Sequence, residues 1–562
     1  MFFGLISSLI PLAVLGAIVY AIVKSVSGRR DQGGADSAPG SVRRLFLFGS
    51  LYVAVHFAAW GLSGLLSELA ISDGQIAEPL AMSLVSVPVV VLLGRWAWHT
   101  MADRPERGLA LTAYVNAMLS TALVVLLVTS YRVATWLFTD AGYAPFALAA
   151  LAIWAVVWMI HWAAWKHYES EISNLHIFFG STAGLGMAAI SGAIGLTYLL
   201  QWLLDAGTSL DITSYGRDDF LQPLIALTIG AVAFGWYWLG NGLPARRDPL
   251  WHGYVVLVGV LGGLISAVSG AGIAAFGILQ WLWGDPDSSS AVRHFEDFSP
   301  AVAVLVIGGL VWAYHRLVVL ADSSPVRTEV NRVYDYVVAA VGLVTAVVGS
   351  VLLLVAVQEA LFPPTGGGRF DSSINTFLGA ATSLLVGIPL WARAWGRAGR
   401  NARLEPQHEA SSPSRRIYLF GVVGVAGIVA FGSLMTLLIA VFNALFEEDR
   451  GPLRDEVQVS VALLLTVGVV AGYHFVKMRA EGGLVQAPAP IKDVTLVTGD
   501  VAIASIVHDL TGARVRVMHR LDSNGGLLDP AAVAAAVEAD DHEHLLVLTG
   551  PRGSVEVIPY ES

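Results

Sequence analysis

The sequence contains no cysteine, which excludes disulfides, thiolate metal sites and thiol catalysis. Charge is scarce as well. Charged residues make up 14% of the 562 positions, against about 25% in soluble globular proteins. This disfavours a soluble multidomain enzyme. It also disfavours disorder over most of the chain, because disorder needs low hydrophobicity and high charge. The net charge of −10 argues against nucleic acid as a partner.

Hydrophobic residues are abundant instead, at 55% of the chain. They form apolar runs that recur from end to end, each long enough to cross a bilayer core of about 30 Å as a helix. The composition therefore predicts an all-α polytopic membrane protein whose first partner is the lipid bilayer. Arginine far outnumbers lysine, a bias that we interpret as GC-rich bacterial coding, so the predicted location is a bacterial plasma membrane.

The chain divides by composition into a membrane part and a small soluble part. The apolar run Phe2–Val23 is followed at once by basic residues, which predicts an uncleaved transmembrane helix with its N-terminus outside. The predicted divisions are an N-terminal helix (1–27), a flexible linker (28–41), a repeated membrane region (42–480), a second linker (481–491) and a soluble α/β domain (492–562).

The membrane region repeats itself six times. Each repeat opens with a long helix that begins near an aromatic residue and reaches a polar residue 19 to 26 positions later. The aromatic positions are Phe48, Tyr114, Phe179, Tyr254, Tyr336 and Phe420. The polar positions are Ser67, Thr135, Gln201, Gln280, Gln358 and Asn443. A second helix follows each first one, so the period of roughly 65 to 85 residues indicates six helical hairpins.

Four of the six second helices end in a histidine: His99, His161, His315 and His474. Counting the N-terminal helix gives thirteen spans. With the N-terminus outside, the loops on the cytoplasmic side hold most of the Lys and Arg residues, while the outer loops are acidic, as at Glu447, Glu448 and Asp449. This asymmetry supports the count and predicts a cytoplasmic C-terminal domain.

The repeated histidines and amides are the candidate site residues, and each has two interpretations. The four histidines, with His56 deeper in the first repeat, could ligate haem or another metal. Equally, duplicated hairpins would inherit the same aromatic anchor or packing residue. Gln201, Gln280, Gln358 and Asn443 could line a path, or they could bond between helices.

Charges within the spans are few and lie near helix ends, as at Arg95, Arg132 and Glu359. An ion-coupled pump usually needs an intramembrane carboxylate or cation, so this pattern disfavours one but leaves a channel open. Small residues four apart predict close helix packing: Gly180, Gly184, Ala188 and Gly192, and again Gly262, Ser266 and Gly270. No catalytic or nucleotide-binding motif is found, and the stretch Asp540–His544 matches no metal motif, so it is interpreted as a solvated turn.

The C-terminal residues predict the order β-α-β-α-β-β. The expected strands are Val494–Thr498, Arg514–His519, Leu545–Leu548 and Val555–Tyr560, and the expected helices are Val501–Leu510 and Pro530–Ala539. Asp529 is the expected N-cap of the second helix, with Pro530 at its first position.

The helix starts Arg43–Gly49 and Arg415–Gly421, together with the Trp-x-aromatic-His helix ends, resemble the bacterial membrane family known as domain of unknown function 5671. The resemblance extends over about residues 42–480 and departs from the pattern in repeats three and five, which lack the histidine. It implies a fold of two-helix repeats and no activity.

Three functions remain open from the sequence. The first is a non-catalytic scaffold or accessory subunit of a membrane complex, which binds other membrane or cytoplasmic proteins and needs no cofactor. The second is a channel or transporter for a small solute. The third is a haem-binding electron-transfer subunit that uses the repeated histidines. The absence of a catalytic constellation favours the first.

Overall fold

A computed structural model describes most of the membrane region and part of the C-terminal domain. The described residues are 38–71, 76–101, 109–168, 172–206, 216–321, 329–361, 373–404, 406–446, 453–482, 493–498, 504, 507, 511, 513–519, 530–540, 542, 544–549 and 554–560. The predicted span Phe2–Val23, most of both predicted linkers and the acidic loop at Glu447 lie outside them.

Twelve helices in the described ranges are long and apolar enough to cross a membrane, as the repeat count of six hairpins predicts. These twelve are α1 (Ala38–Ile71), α2 (Ala77–Met101), α3 (Leu109–Phe138), α4 (Pro145–His167), α5 (Leu175–Ala206), α6 (Arg217–Gly242), α7 (Pro249–Trp283), α8 (Ala291–Ala321), α9 (Glu329–Leu361), α10 (Ser373–Leu404), α12 (Pro413–Phe446) and α13 (Leu453–Gly482). A short helix, α11 (Pro406–Ser411), lies between α10 and α12. The end of α6 (Gly235–Gly242) and a stretch of α7 (Tyr254–Gly262) are π-helical.

Consecutive helices form the hairpins, and glycine allows their backbones to touch. A Cβ atom on Gly184 of α5 would collide with the backbone of Phe234 in α6, and one on Gly230 of α6 would collide with the backbone of Ala188. The next two hairpins repeat this arrangement with Gly263 and Gly308, and with Gly342 and Gly387. The small-residue spacing therefore serves packing, which in a bilayer replaces the hydrophobic driving force between helices.

The hairpins associate in pairs, which the sequence did not predict. Helix α1 packs on α4 as well as on α2, and α5 packs on α8 as well as on α6. In the last pair, the Gln358 side chain of α9 donates to the backbone carbonyl of Gln458 in α13 at 3.3 Å. The membrane region is thus three four-helix units: residues 38–167 (first), 175–321 (second), and 329–400 with 417–474 (third).

The chain as a whole divides into two compact bodies. One comprises the described residues within 38–400 and 417–474, and the other comprises those within 401–416 and 475–560. In the second body, Arg415 forms a two-pronged ion pair with Glu481, at 2.6 Å from each carboxylate oxygen. The Arg415 side chain is 3% exposed, so this pair fastens the start of α12 to the end of α13.

The second body also contains a four-stranded mixed sheet in the order β2-β1-β3-β4. The strands are β1 (Asp493–Thr498), β2 (Arg514–His519), β3 (His544–Thr549) and β4 (Val555–Pro559), with one further helix, α14 (Pro530–Glu538). Strand β1 is parallel to both of its neighbours, while β3 and β4 are antiparallel. All four predicted strands are confirmed to within a residue or two.

The core of this sheet follows its period of two. Val494 and Leu496 of β1 and Leu545 and Val547 of β3 are almost fully buried, because alternate residues of a strand share a face. The predicted helix Val501–Leu510 is described only at Ala504 and Val507, and the predicted N-cap Asp529 lies outside the described residues. Asp540 accepts from the backbone N–H of exposed His542 at 3.0 Å, which is the geometry of a local turn.

Candidate functional site: a histidine–tyrosine cluster in each four-helix unit

Three of the four repeated histidines lie inside the helix packing. His161, His315 and His474 are 8%, 0% and 1% exposed, whereas His99 is exposed. Their equivalent positions near the ends of α4, α8 and α13 place one buried imidazole in each four-helix unit.

Each buried imidazole is oriented by its own helix. Nδ1 lies 2.7 to 2.9 Å from the carbonyl oxygen four residues earlier, at Val157, Val311 and Val470 respectively. A carbonyl oxygen only accepts, so Nδ1 carries a proton, and in the neutral ring Nε2 is then the nitrogen with the free lone pair. The backbone bond therefore fixes both the tautomer and the direction of the free lone pair.

A tyrosine from the third helix of the unit faces that lone pair. In the first unit, the hydroxyl of Tyr114 donates to Nε2 of His161 at 2.9 Å. The ring centroids of this pair are 5.4 Å apart at 60°. The corresponding pairs are Tyr254 with His315 at 5.8 Å and 67°, and Tyr418 with His474 at 5.8 Å and 61°.

Behind each tyrosine lies a ring from the first helix of the unit. Phe48 lies 5.5 Å from Tyr114 at 35°. Phe178 lies 6.0 Å from Tyr254, and Tyr336 lies 5.3 Å from Tyr418, both at 31°. The near-identical angles show that the three clusters are copies of one arrangement.

These rings correct two of the six aromatic positions chosen from the sequence. The buried rings are Phe178 rather than Phe179, and Tyr418 rather than Phe420. Phe179 and Phe420 are 36% and 61% exposed. Each stands within two residues of the buried ring, and both neighbours are aromatic, so the sequence pattern alone could not choose between them.

The second and third units add a tryptophan that the sequence reasoning missed. Trp238 of α6 lies 4.6 Å from Tyr254 and donates its indole N–H to the Tyr314 hydroxyl at 2.9 Å. Trp395 of α10 likewise lies 5.3 Å from Tyr418 and donates to Tyr473 at 2.7 Å. A sequence pattern could have indicated these pairs. Each tryptophan is followed about one repeat later by a tyrosine, and that tyrosine directly precedes the histidine, as Tyr314 precedes His315.

The cluster of the second unit is tightly built. It lies between the π-helical stretches Gly235–Gly242 and Tyr254–Gly262, and single π-turns often occur at functional positions. A Cβ on Gly259 would overlap the His315 ring, so this glycine makes room for the imidazole. Within the described residues, no partner lies in hydrogen-bond reach of Nε2 of His315 or of the Tyr254 hydroxyl.

His56 lies on the first helix of the first unit, and the other two units have no histidine at the equivalent position. Its Nδ1 lies 2.8 Å from the Tyr52 carbonyl, and its ring lies 4.1 Å from the Tyr52 ring and 5.2 Å from Trp154. Tyr52 in turn hydrogen-bonds Thr121 across to α3 at 2.9 Å. This arrangement links α1 to α3 through a hydrogen bond and to α4 through a ring contact, at mid-helix.

The four candidate amide side chains, Gln201, Gln280, Gln358 and Asn443, have different surroundings. Gln201 of α5 donates to the Glu296 carbonyl of α8 at 3.5 Å, as Gln358 does to Gln458 in the third unit. Gln280 donates instead to the Asp285 carbonyl of its own loop at 3.0 Å. Asn443 is half-buried near the end of α12. These four side chains do not converge on one point.

Charge and metal-ligating groups are sparse in the described residues. No group of three His, Asp or Glu side chains is close enough there to hold a metal ion. Asp335 of α9 pairs with Arg397 of α10 at 3.0 Å near the helix ends. Two sizeable cavities, of about 770 and 890 Å³, border the helices, and none of the five candidate histidines lines either one.

A comparison with known protein families found a match, and it lies in the third unit. Residues 332–473 match the model of a family described as Domain of unknown function (DUF5671). This part of the chain, about a quarter of its length, is similar to that family. The match spans α9 to α13, so it covers one four-helix unit rather than one hairpin. Searches among curated proteins and among solved structures found no match.

The match is shorter than the resemblance over residues 42–480 suggested. The first two units nevertheless repeat the tyrosine–histidine geometry of the third unit, with ring distances within about half an ångström. The protein is therefore an integral membrane protein in which one four-helix arrangement occurs three times, and the third copy contains the match to the family.

Proposed function

We propose that this protein is a non-catalytic scaffold or accessory subunit of a bacterial membrane complex, with its N-terminus outside and its α/β domain in the cytoplasm. One observation carries the proposal. Many polar side chains of the membrane interior bond to backbone or to side chains of neighbouring helices, and the three buried histidines bond their own backbone and pack among aromatic rings. Such groups specify how helices assemble.

The outer surface supports the same function. Large apolar side chains are exposed along nearly every membrane helix, among them Phe57, Trp98, Leu310 and Phe431. Exposed apolar surface larger than that of a soluble monomer indicates contact with lipid or with other membrane proteins. The two lateral cavities open on this surface and contain many small residues, as helix–helix interfaces in membranes do.

The test is the composition of the assembly in its own membrane. The full chain is extracted with its surrounding lipid in native nanodiscs, and every polypeptide is quantified. We expect at least one other polypeptide at a fixed ratio to this chain. A preparation containing this chain alone, together with solute flux when it is placed in liposomes, would replace the scaffold by a channel or transporter.

The haem-binding function keeps one specific observation in its favour. Nε2 of His315 and of His474 is unprotonated, buried and without a hydrogen-bond partner among the described residues, and imidazole nitrogen of this kind ligates haem iron. The protein purified from its own membrane would then show a visible haem band. His315→Phe or His474→Phe would alter that band, whereas His99→Phe would not.

A further inference from the structure

The junctions between four-helix units follow one plan. At the first junction, the third helix of one unit packs beside the second helix of the next, α3 beside α6. At the second junction, a Cβ on Gly379 of α10 would lie 3.9 Å from the Phe276 ring of α7. At its end, the backbone N–H of Asp140 donates to the Asp218 carboxylate near the start of α6 at 3.1 Å. At the second junction, the N–H of Asp285 donates to the Asn375 side-chain oxygen near the start of α10 at 3.0 Å.

The second junction contains the larger cavity, of about 890 Å³. It is a groove between α9 and α10, and one face of α7 forms its third wall. That face presents Ile265, Gly272 and Phe276. Val341 and Thr345 of α9, and Thr382 and Ser383 of α10, line the other two walls.

The first unit has the same groove without the third wall. It lies between α1 and α2 and has a volume of about 770 Å³. If Phe48 is aligned with Tyr336, and buried Ala97 with buried Ala394, then its lining residues Val53, Phe57, Val85 and Ser86 match Val341, Thr345, Thr382 and Ser383. No helix among the described residues stands where α7 stands beside α10.

The missing wall has a counterpart at the other end of the chain. Helix α12 is the third helix of the third unit, and no further four-helix unit among the described residues covers it. Its buried small residues Ala426, Ser433 and Ala440 match Gly263, Gly270 and Gly277 of α7, seven residues apart in both helices.

This register brings an exposed face of α12 onto the α7 face that lines the groove. Ile428, Met435 and Ile439 then correspond to Ile265, Gly272 and Phe276, with Phe431 at the place of Val268. These four α12 side chains are 73%, 55%, 53% and 69% exposed in the order Ile428, Met435, Ile439, Phe431.

Burial shows the same two open ends. In their most apolar stretches, 39% of the residues of α3 and 33% of those of α7 are buried, against 17% for α12. For the second helices, the share is 28% in both α6 and α10, against 11% in α2. The faces left open on α2 and α12 are those that cover each other at the internal junctions.

We propose that a second copy of this chain closes the groove, with α12 of one protomer lying against α1 and α2 of the next as α7 lies against α9 and α10. Both α7 and α12 are first helices of their hairpins, so the two copies share one orientation in the membrane. The contact is head-to-tail, and it generates a closed ring or an open row of protomers. The proposal goes beyond the scaffold function, because a scaffold could equally be a monomer.

The chain contains no cysteine, so single cysteines can be placed at will. Val85→Cys and Phe431→Cys are made in two differently tagged copies, and a short thiol cross-linker is applied in native nanodiscs. We expect cross-linked species only when both variants are mixed, because a head-to-tail contact brings position 85 to 431 and neither position to itself. A chain carrying both substitutions should give a ladder in multiples of 59.6 kDa.

The matched control is Leu310→Cys on α8, whose side chain is 63% exposed but lies outside both faces. It should not cross-link to Val85→Cys. As a second measurement, Phe431→Ala should weaken self-association about tenfold on dilution, the loss typical of truncating one well-buried anchor. Leu310→Ala should leave it unchanged.

Three results would overturn the proposal. The first is a chain that stays monomeric with lipid in the groove. The second is equal cross-linking of Val85→Cys to itself. The third is a cross-link within one chain from Val85→Cys to Ser7→Cys, which would mean that residues 2–23 of the same chain occupy the groove. If other polypeptides are found but the chain does not self-associate, the scaffold function is supported and this proposal is wrong. If the chain self-associates and no other polypeptide is found, this proposal is supported and the scaffold function is wrong.

Discussion

The hydroxyl of Tyr114 donates a 2.9 Å hydrogen bond to Nε2 of His161, whereas Tyr254 and His315, at the same places in the second unit, face each other without that bond. One arrangement thus exists in a bonded and an unbonded form within a single chain. The difference allows the energetic role of the bond to be measured against an internal reference.

Tyr114→Phe should destabilise the protein more than Tyr254→Phe. Removing the first hydroxyl leaves Nε2 of His161 buried without a donor, which costs about 1–3 kcal/mol. Removing the second breaks no hydrogen bond to the imidazole. Thermal unfolding in detergent should therefore show the larger fall in Tm for Tyr114→Phe, and equal falls would contradict the assigned geometry.

The bond between Trp395 and Tyr473 should couple α10 to α13. Trp395→Phe and Tyr473→Phe each remove one partner of the 2.7 Å bond, so the second substitution should have little further effect once the first is made. The expected coupling is about 0.5–1.5 kcal/mol. A double-mutant cycle on unfolding measures it, and strict additivity of the two losses would show that the bond contributes nothing.

Gly342 should not tolerate a methyl group. A Cβ there would meet the backbone of Trp391, so Gly342→Ala must separate α9 from α10 at a cost of about 1–3 kcal/mol. Gly421→Ala in α12 is the matched control, because nothing lies within 4 Å of its added Cβ. That control should be neutral or should stabilise the helix by up to about 1 kcal/mol. Thermal unfolding of both variants decides the point.

The ion pair between Arg415 and Glu481 should hold the start of α12 in place. Glu481→Gln removes the charge that the 3%-exposed Arg415 side chain pairs with, and hydrogen bonds to charged groups contribute about 1.5–3 kcal/mol. Hydrogen exchange at the first turns of α12 should become faster in this variant. The charge swap Arg415→Glu with Glu481→Arg should restore part of the protection, and unchanged exchange in Glu481→Gln would count against the role given to the pair.

The sequence predicts the hairpins and the strands because both follow from periodic apolar patterns. It could not predict that hairpins pair into four-helix units, since the contacts of α1 with α4 and of α5 with α8 depend on which faces meet. It located three of the buried histidines by their repetition, but not the tautomer that the backbone imposes on them.

The sequence reasoning also missed side chains whose roles depend on distant partners. His176 is fully buried, with its backbone N–H and its Nδ1 near the Asn116 side-chain oxygen, at 2.7 and 3.0 Å. His294 reaches the Gly277 carbonyl at 2.9 Å. Neither recurs at the repeat period, so no repeated pattern pointed to them.

Replacement of His315 tests the central claim, that the buried imidazoles of the four-helix units serve packing, most directly. His315→Ala should destabilise the protein by about 2–5 kcal/mol through the cavity it leaves among aromatic rings, and His99→Ala at the surface should have no effect. His315→Phe keeps a ring but no nitrogen, and it should restore most of the Tm while leaving the associated polypeptides in native nanodiscs unchanged. A His315→Phe protein that folds normally but loses a visible chromophore or its associated polypeptides would contradict the account.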